Sequence, residues 1–216
     1  MRLSITTIEA FRLWRDTGDW MDLRDLEATI KRETVPNEKM LRGSAFHAIL
    51  EKPLAYVSQP MGDKQYRVPS QDGLADFIFD GEGVDRVLAV WPNLPAPEVK
   101  STFMVDGITV VGVADALEGV TVWEAKATEQ IDVDKYVESF QWRALLKLYR
   151  AKAAKYVLAQ VKDNGARFIS IIGEPFVLPL YRYPNLSDDV RRLVHDCAEF
   201  VVQRNLTDYT QEREAA

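Results

Sequence analysis

The chain has 216 residues, carries 27 Lys and Arg against 33 Asp and Glu for a formal charge of −6, and is 47% hydrophobic. That balance excludes a disordered or collagen-like chain and supplies the apolar mass for a real core. The single cysteine, Cys197, excludes an internal disulfide and a four-thiolate zinc or iron–sulfur site. An acidic pI of about 5.1 argues against coating of nucleic acid by bulk charge, while leaving room for a local basic track. No window of 18 uncharged apolar residues occurs, and Met1 to Asp16 lacks the basic flank and long apolar run of a secretory signal. The expectation is a cytoplasmic protein with no membrane association.

With no repeat, low-complexity tract or Gly/Ser linker, residues 1–216 read as one domain: a helical front at 1–55, a core at 65–180 and a closing helix at 187–205. Thr6 or Thr7 is placed to cap a first helix through Trp14. Asn37 is placed to cap a second, which runs to about Glu51 and stops at Lys52-Pro53. From Gln65 the texture turns to short β-rich runs: Gln65 to Val68, Leu74 to Phe79, Arg86 to Trp91, Glu98 to Val105, Ile108 to Ala116 and Thr121 to Ala127. Asp72-Gly73, Asp80-Gly81-Glu82-Gly83, Asp106-Gly107 and Glu118-Gly119 read as the turns between them, Asp106-Gly107 being a strong hairpin signal. A long helix is expected from Lys135 to Ala154, then strands over Tyr156 to Lys162 and Arg167 to Leu180, then a helix capped by Ser187. This order predicts an α/β fold with a mixed central sheet flanked by helices.

Chemistry concentrates between Gly112 and Lys126, where Asp115, Glu124 and Lys126 interrupt otherwise apolar strands. Charges there are costly to bury without a use. Alternation along a strand turns Glu124 and Lys126 to one face and Ala125 to the other, and the Glu118-Gly119 turn folds Asp115 back beside them. Two carboxylates and the Ala125 carbonyl suit a hard cation, Mg²⁺ or Mn²⁺, with open positions for water and a substrate phosphate. Lys126 is then placed to orient the attacking water, lower its pKa or stabilise charge on the phosphate. A surface hairpin with a cross-strand ion pair is the plainer alternative.

Gly43, His47 and Glu51 share one face of the second helix. His47 offers a further metal ligand, or else a hydrogen-bonded structural histidine. Glu98 is a candidate accessory acid or a surface strand end. On the helix after Lys135, Gln141 shares the apolar stripe of Phe140, Ala144, Leu145 and Leu148, and an inward amide needs a partner. Arg143, Lys147 and Arg150 form an expected basic ridge beside it, suited to DNA phosphates or simply solvated, with Tyr136 and Tyr149 as further candidate DNA contacts.

Taken in order, Gly43-x-x-Phe46-His47-x-x-Leu50-Glu51, Glu98, Gly112-x-x-Asp115, Glu124-Ala125-Lys126 and Gln141 resemble the PD-(D/E)XK nuclease superfamily, in particular its RecB-like branch. The resemblance spans about Gly43 to Tyr149 and implies a restriction-endonuclease-like core. It makes Asp115 and Glu124 metal ligands, Lys126 the catalytic lysine, His47 the branch's extra ligand and Gln141 the residue that follows the core motif. Two positions depart from it. Leu145 stands where many members have a tyrosine four residues after the glutamine, and the cysteines of cluster-bearing members are absent. The size resembles that of phage-type exonucleases acting in recombination or repair beside a single-strand annealing or single-strand-binding protein, some of which form homo-oligomers. The expected function is a Mg²⁺- or Mn²⁺-dependent DNA exonuclease. The alternatives are a structure-specific or single-strand endonuclease and an inactive nucleic-acid-binding module.

Overall fold

The computed structural model of the chain describes residues 1–18, 21–59, 62–92 and 99–211. In chain order the first half contains β1 (Arg2–Ser4), α1 (Ile5–Thr17), α2 (Leu23–Lys31), α3 (Glu38–Glu51), α4 (Pro53–Tyr56), β2 (Val57–Ser58), β3 (Gln65–Val68), β4 (Phe77–Asp80) and α5 (Gly81–Val90). The meander follows as β5 (Val99–Val105), β6 (Ile108–Ala114), β7 (Ala116–Glu118) and β8 (Thr121–Thr128). The chain closes with α6 (Val133–Glu138), α7 (Phe140–Leu148), β9 (Ala153–Asp163), β10 (Phe168–Ile171), β11 (Phe176–Tyr181) and α8 (Leu186–Gln203).

The fold is mixed α/β. A three-stranded sheet has the order β1-β6-β5, and a larger sheet runs β2-β3-β4-β10-β9-β8-β7, with β11 paired to β9 beyond β10. Pairing is parallel at β1–β6, β8–β9 and β4–β10 and antiparallel elsewhere. Central β9 is apolar on both faces, as a strand covered on both sides must be. Ala154, Tyr156 and Leu158 face a core built with α1, α7 and α8, whereas Val157, Ala159 and Val161 face a second core containing Phe46, Ile49, Phe77 and Phe79. Among the described residues no helix is long and apolar enough to cross a membrane.

Several local readings need correction. The first helix is capped by Ser4, whose Oγ accepts from Thr7 N at 2.9 Å, and not by Thr6 or Thr7. The α2 helix is additional to the two helices read at the front. Its signals are the Asp22 cap, which accepts from Asp25 N, and the buried Leu26 and Ile30 one turn apart. The segment read as a turn at Asp80–Gly83 and a strand at Arg86–Trp91 is instead the start and body of α5. Asp80 caps it by accepting from Gly83 N at 2.6 Å while also accepting from Ile171 N of β10 at 2.6 Å. Gly83 is there for contact: a Cβ on it would lie 2.6 Å from the Ile171 Cβ.

Ile108–Ala116 is two strands and not one, because the chain leaves β6 and enters β7 through a bend at Asp115. The strand read over Arg167–Leu180 likewise divides into β10 and β11 around Gly173 at φ +66°. The long helix read from Lys135 to Ala154 breaks at Ser139 and ends at Leu148, and Ala153 and Ala154 already belong to β9. The last helix begins at Leu186, one residue before the expected Ser187 cap, with Asn185 at its N-cap position.

Gly112 lets the small sheet lie close under the helices. A Cβ there would press into the side chains of Ile5 and Leu148, which hold the start of α1 and the end of α7. The atoms met first are Ile5 Cδ1 and Leu148 Cδ2, free ends of flexible side chains, so Gly112→Ala is expected to cost about 1 kcal/mol, the low end of overpacking, read as a lower urea midpoint at unchanged slope. An unchanged midpoint would show that the two helix ends yield freely.

Candidate active site

The β7–β8 hairpin sets the register of the site. Its two-residue loop has Gly119 at φ +57°, and the pairing Ala116↔Trp123 places Asp115, one residue further out, level with Glu124. Beyond Trp123, β8 has no strand partner on the β7 side among the described residues. Asp115 takes over that edge, its Oδ2 accepting from Ala125 N at 2.8 Å. A residue's N–H and C=O leave an extended strand on the same side, so the Ala125 carbonyl faces the Asp115 edge too.

α3 packs against β8 and brings His47 to the bend, with Nδ1 3.2 Å from Asp115 Oδ1. Tyr149 supports the same bend from the C-cap of α7, where its hydroxyl accepts from Ala114 N at 3.2 Å. Lys126 Nζ donates to Glu124 Oε2 at 3.0 Å, and Gln141 Nε2 donates to the same oxygen at 2.6 Å. Gln141 reaches it because the helix restarts at Ser139. The Ser139 Oγ accepts from Gln141 N, and Glu9 of α1 accepts from Phe140 N at 2.6 Å, so the first turn of α7 is aimed at β8.

The electrostatics follow from burial. Glu124 is 1% exposed, and its Oε1, shut from solvent, has no hydrogen-bond partner among the described residues. Burial and then the Asp115 charge push the Glu124 carboxyl up to about 7, against the opposing pull of Lys126. Burial also resists ionisation of Asp115, but the His47 hydrogen bond and the Lys126 charge outweigh it and hold that carboxyl below its ordinary value. Lys126 is desolvated, which by itself favours the neutral amine, yet Glu124 and Asp115 reverse the balance and raise its pKa. It stands as an ammonium, a donor and a charge.

Two cavities of about 680 and 560 Å³ adjoin the centre through Lys126 and Gln141 and also share Glu9 and Leu13, while Asp115, Glu124 and His47 lie behind that wall and line neither. The smaller is walled by Lys39, Arg42, Lys135 and Tyr136. The residues brought together are thus His47, Asp115, Glu124, Ala125, Lys126 and Gln141, with Tyr136 and Tyr149 beside them.

Of the expected basic ridge, Arg143 and Lys147 stand one turn apart on α7, but Arg150 does not continue it. Arg143 turns back to the carbonyls of Val137 and Glu138, Lys147 lies over the Phe103 ring, and Arg150 lies past the helix end at φ +52°. None of the three lines either cavity. Glu98 lies outside the described residues. Sequence reasoning missed Glu9, whose contact with α7 spans 131 residues and leaves no local signal, and Arg42, whose position directly before Gly43 in the motif was the available hint.

Among the described residues no three His, Cys, Asp or Glu side chains are already gathered as a metal cage. A hard cation such as Mg²⁺ does not require one, since it is commonly held by one or two carboxylates with water and substrate phosphate completing the shell. Asp115 and the unpartnered Glu124 Oε1 meet that minimum, with the Ala125 carbonyl on the same edge.

No protein-family model matches the sequence, and no curated protein matches it. In fold the chain is similar to the crystal structure of a protein from Eubacterium rectale bearing the name "Putative exonuclease". The TM-score is 0.52 at 11% identity, over 98% of this chain and 83% of that one. A second crystal structure, of SSO0001, aligns at a TM-score of 0.48 and 13% identity over 92% of this chain and 76% of that one. The first of these likenesses gives the chain an α/β fold of the kind seen in an exonuclease-named structure.

Proposed function

We propose that the chain is a divalent-metal-dependent nuclease with a restriction-endonuclease-like core of the PD-(D/E)XK type, hydrolysing phosphodiester bonds in DNA with Mg²⁺ or Mn²⁺. The observation that carries this reading is Glu124. A carboxylate 1% exposed, with one oxygen held by a lysine and a glutamine and the other without a partner among the described residues, beside a second carboxylate, is costly to maintain for structure alone.

Asp115, Glu124 Oε1 and the Ala125 carbonyl would hold the cation, with His47 assisting from the far side of Asp115. When bound, the ion supplies Lewis acidity toward the phosphate and lowers the pKa of water. Lys126 contributes an ammonium that orients that water and balances charge growing on the phosphate, and its raised pKa makes it a poor proton acceptor near neutrality. Gln141 fixes the Glu124 rotamer by holding Oε2, which leaves Oε1 turned away for the ion. His47 orients Asp115 in the same sense.

Exonuclease action is the preferred form, supported by the likeness in fold to the exonuclease-named protein. Incubation with Mg²⁺ is expected to degrade linear DNA, to spare a covalently closed circle of the same sequence, and to stop on chelation. Cutting of both substrates would move the assignment to an endonuclease. Survival of both under every divalent ion would remove the nuclease reading.

A further inference from the structure

Arg42 is a buried charge that the chemistry above leaves unused. The residue is 4% exposed, lies one turn before Phe46 on α3, and lines the smaller cavity together with Lys126 and Gln141. Its Nη2 donates to Glu129 Oε1 at 3.2 Å, whereas its Nε is shut from solvent with no hydrogen-bond partner among the described residues. A guanidinium presents Nε–H and Nη2–H as a parallel pair matched to two oxygens of one phosphate. Glu129 reaches only half of that fork. Glu129 is itself half-exposed, sits just past the end of β8, and is shared with Lys39 at 3.2 Å.

We propose that Arg42 anchors a backbone phosphate of the substrate strand next to the one that is cut, and that Glu129 covers the guanidinium as an exchangeable carboxylate until the strand displaces it. This rests on the nuclease reading and deepens it by assigning the path of the strand. α3 packs against β8 with Arg42 at the Glu129 end and His47 at the Asp115 end, five residues and about 7–8 Å further along the helix. That separation fits neighbouring phosphates of one strand. Lys39 and Lys135 on the same cavity wall add the positive field such a strand needs. Displacing Glu129 costs little, because an exposed carboxylate regains water as it leaves.

The test is binding of a short fluorescein-labelled single-stranded oligonucleotide to the full chain, followed by anisotropy across a salt series with Ca²⁺ replacing Mg²⁺ to hold off turnover. Arg42→Gln is expected to weaken binding about tenfold, the scale of a lost charged hydrogen bond, and to reduce the salt slope by about 0.7. Glu129→Gln, which removes the competitor, is expected to tighten binding. A folded Arg42→Gln protein with wild-type affinity and slope would overturn the anchor, as would weaker binding by Glu129→Gln. Should Arg42→Gln fail to fold, the sign of the Glu129→Gln effect decides alone. If the wild-type chain binds and cuts DNA while these variants behave contrary to expectation, only the anchor falls. If the wild-type chain neither binds nor cuts, the nuclease reading falls and the anchor with it.

Discussion

Lys126→Ala is expected to slow DNA hydrolysis by about 10²–10⁴-fold while leaving cation binding intact, whereas Asp115→Asn is expected to lose both. The two outcomes separate because the side chains do different work in one small volume. Lys126 contributes charge and hydrogen bonds, and its removal leaves Asp115 and Glu124 without their cationic neighbour. A divalent ion meets a more negative site in that variant, so Mn²⁺ affinity measured by calorimetry should hold or rise as the rate collapses. Asp115→Asn instead removes a negative ligand and shifts the contact that Ala125 N and His47 make with it. Combining the two substitutions should cost little more than the worse single one, as expected for residues acting as a unit. Lys126→Arg tests shape against charge. Its planar guanidinium cannot reproduce a compact ammonium 3.0 Å from Glu124 Oε2, so recovery should be partial at best. Wild-type rates in Lys126→Ala would sink the assignment.

The parts of this site that could be read from the sequence are those fixed by short-range geometry. Strand alternation puts Glu124 and Lys126 on one face, and a two-residue hairpin puts Asp115 level with Glu124. Neither depends on anything outside Gly112–Lys126. The Asp106-Gly107 hairpin is legible for the same reason, both residues taking the positive φ that such a turn demands. Asn37 caps α3 as its position predicts, accepting from Met40 N at 3.0 Å. What escaped is decided by partners distant in sequence. Gly81 and Gly83 look like turn residues until β10 and the Lys64 backbone are packed on them, at which point they are the only residues small enough to let α5 sit there. The break at Ser139 needs Glu9 from the first helix. Arg150 left the basic ridge because a uniform helix was assumed past Leu148, where the chain turns left-handed at Arg150 to enter β9. The pairing of Arg42 with Glu129 likewise spans 87 residues.

Stabilisation by Mn²⁺ is expected to depend steeply on pH, because the ion competes with a proton for Glu124. An unfolded glutamate ionises near its ordinary value of 4.5, but in the folded chain burial, then the Asp115 charge, delay ionisation to about 7. Between those values the folded state binds more protons than the unfolded one, so this group's contribution to stability is fully present below 4.5 and is lost as pH rises through about 7. Asp115 runs the other way: held below its ordinary value, it contributes stability above that value and loses it on strong acidification. Without a divalent ion, then, the chain should soften from mildly acidic to mildly alkaline pH, over the window set by Glu124.

A cation reverses this trend by stabilising the ionised pair. At about 100 times its dissociation constant a ligand adds about 2.7 kcal/mol, which for a chain of this size is a rise in Tm of about 5–10 °C. That rise should be seen at pH 8 and should shrink to about a third at pH 5.5, where the Glu124 proton must first be displaced. Glu124→Gln cannot ionise there, so it should lose both the pH-dependent softening in chelator and the response to Mn²⁺. An equal Mn²⁺ response in wild type and Glu124→Gln at pH 8 would mean that the ion sits elsewhere. The unpartnered Oε1 would then be a buried defect and not a ligand.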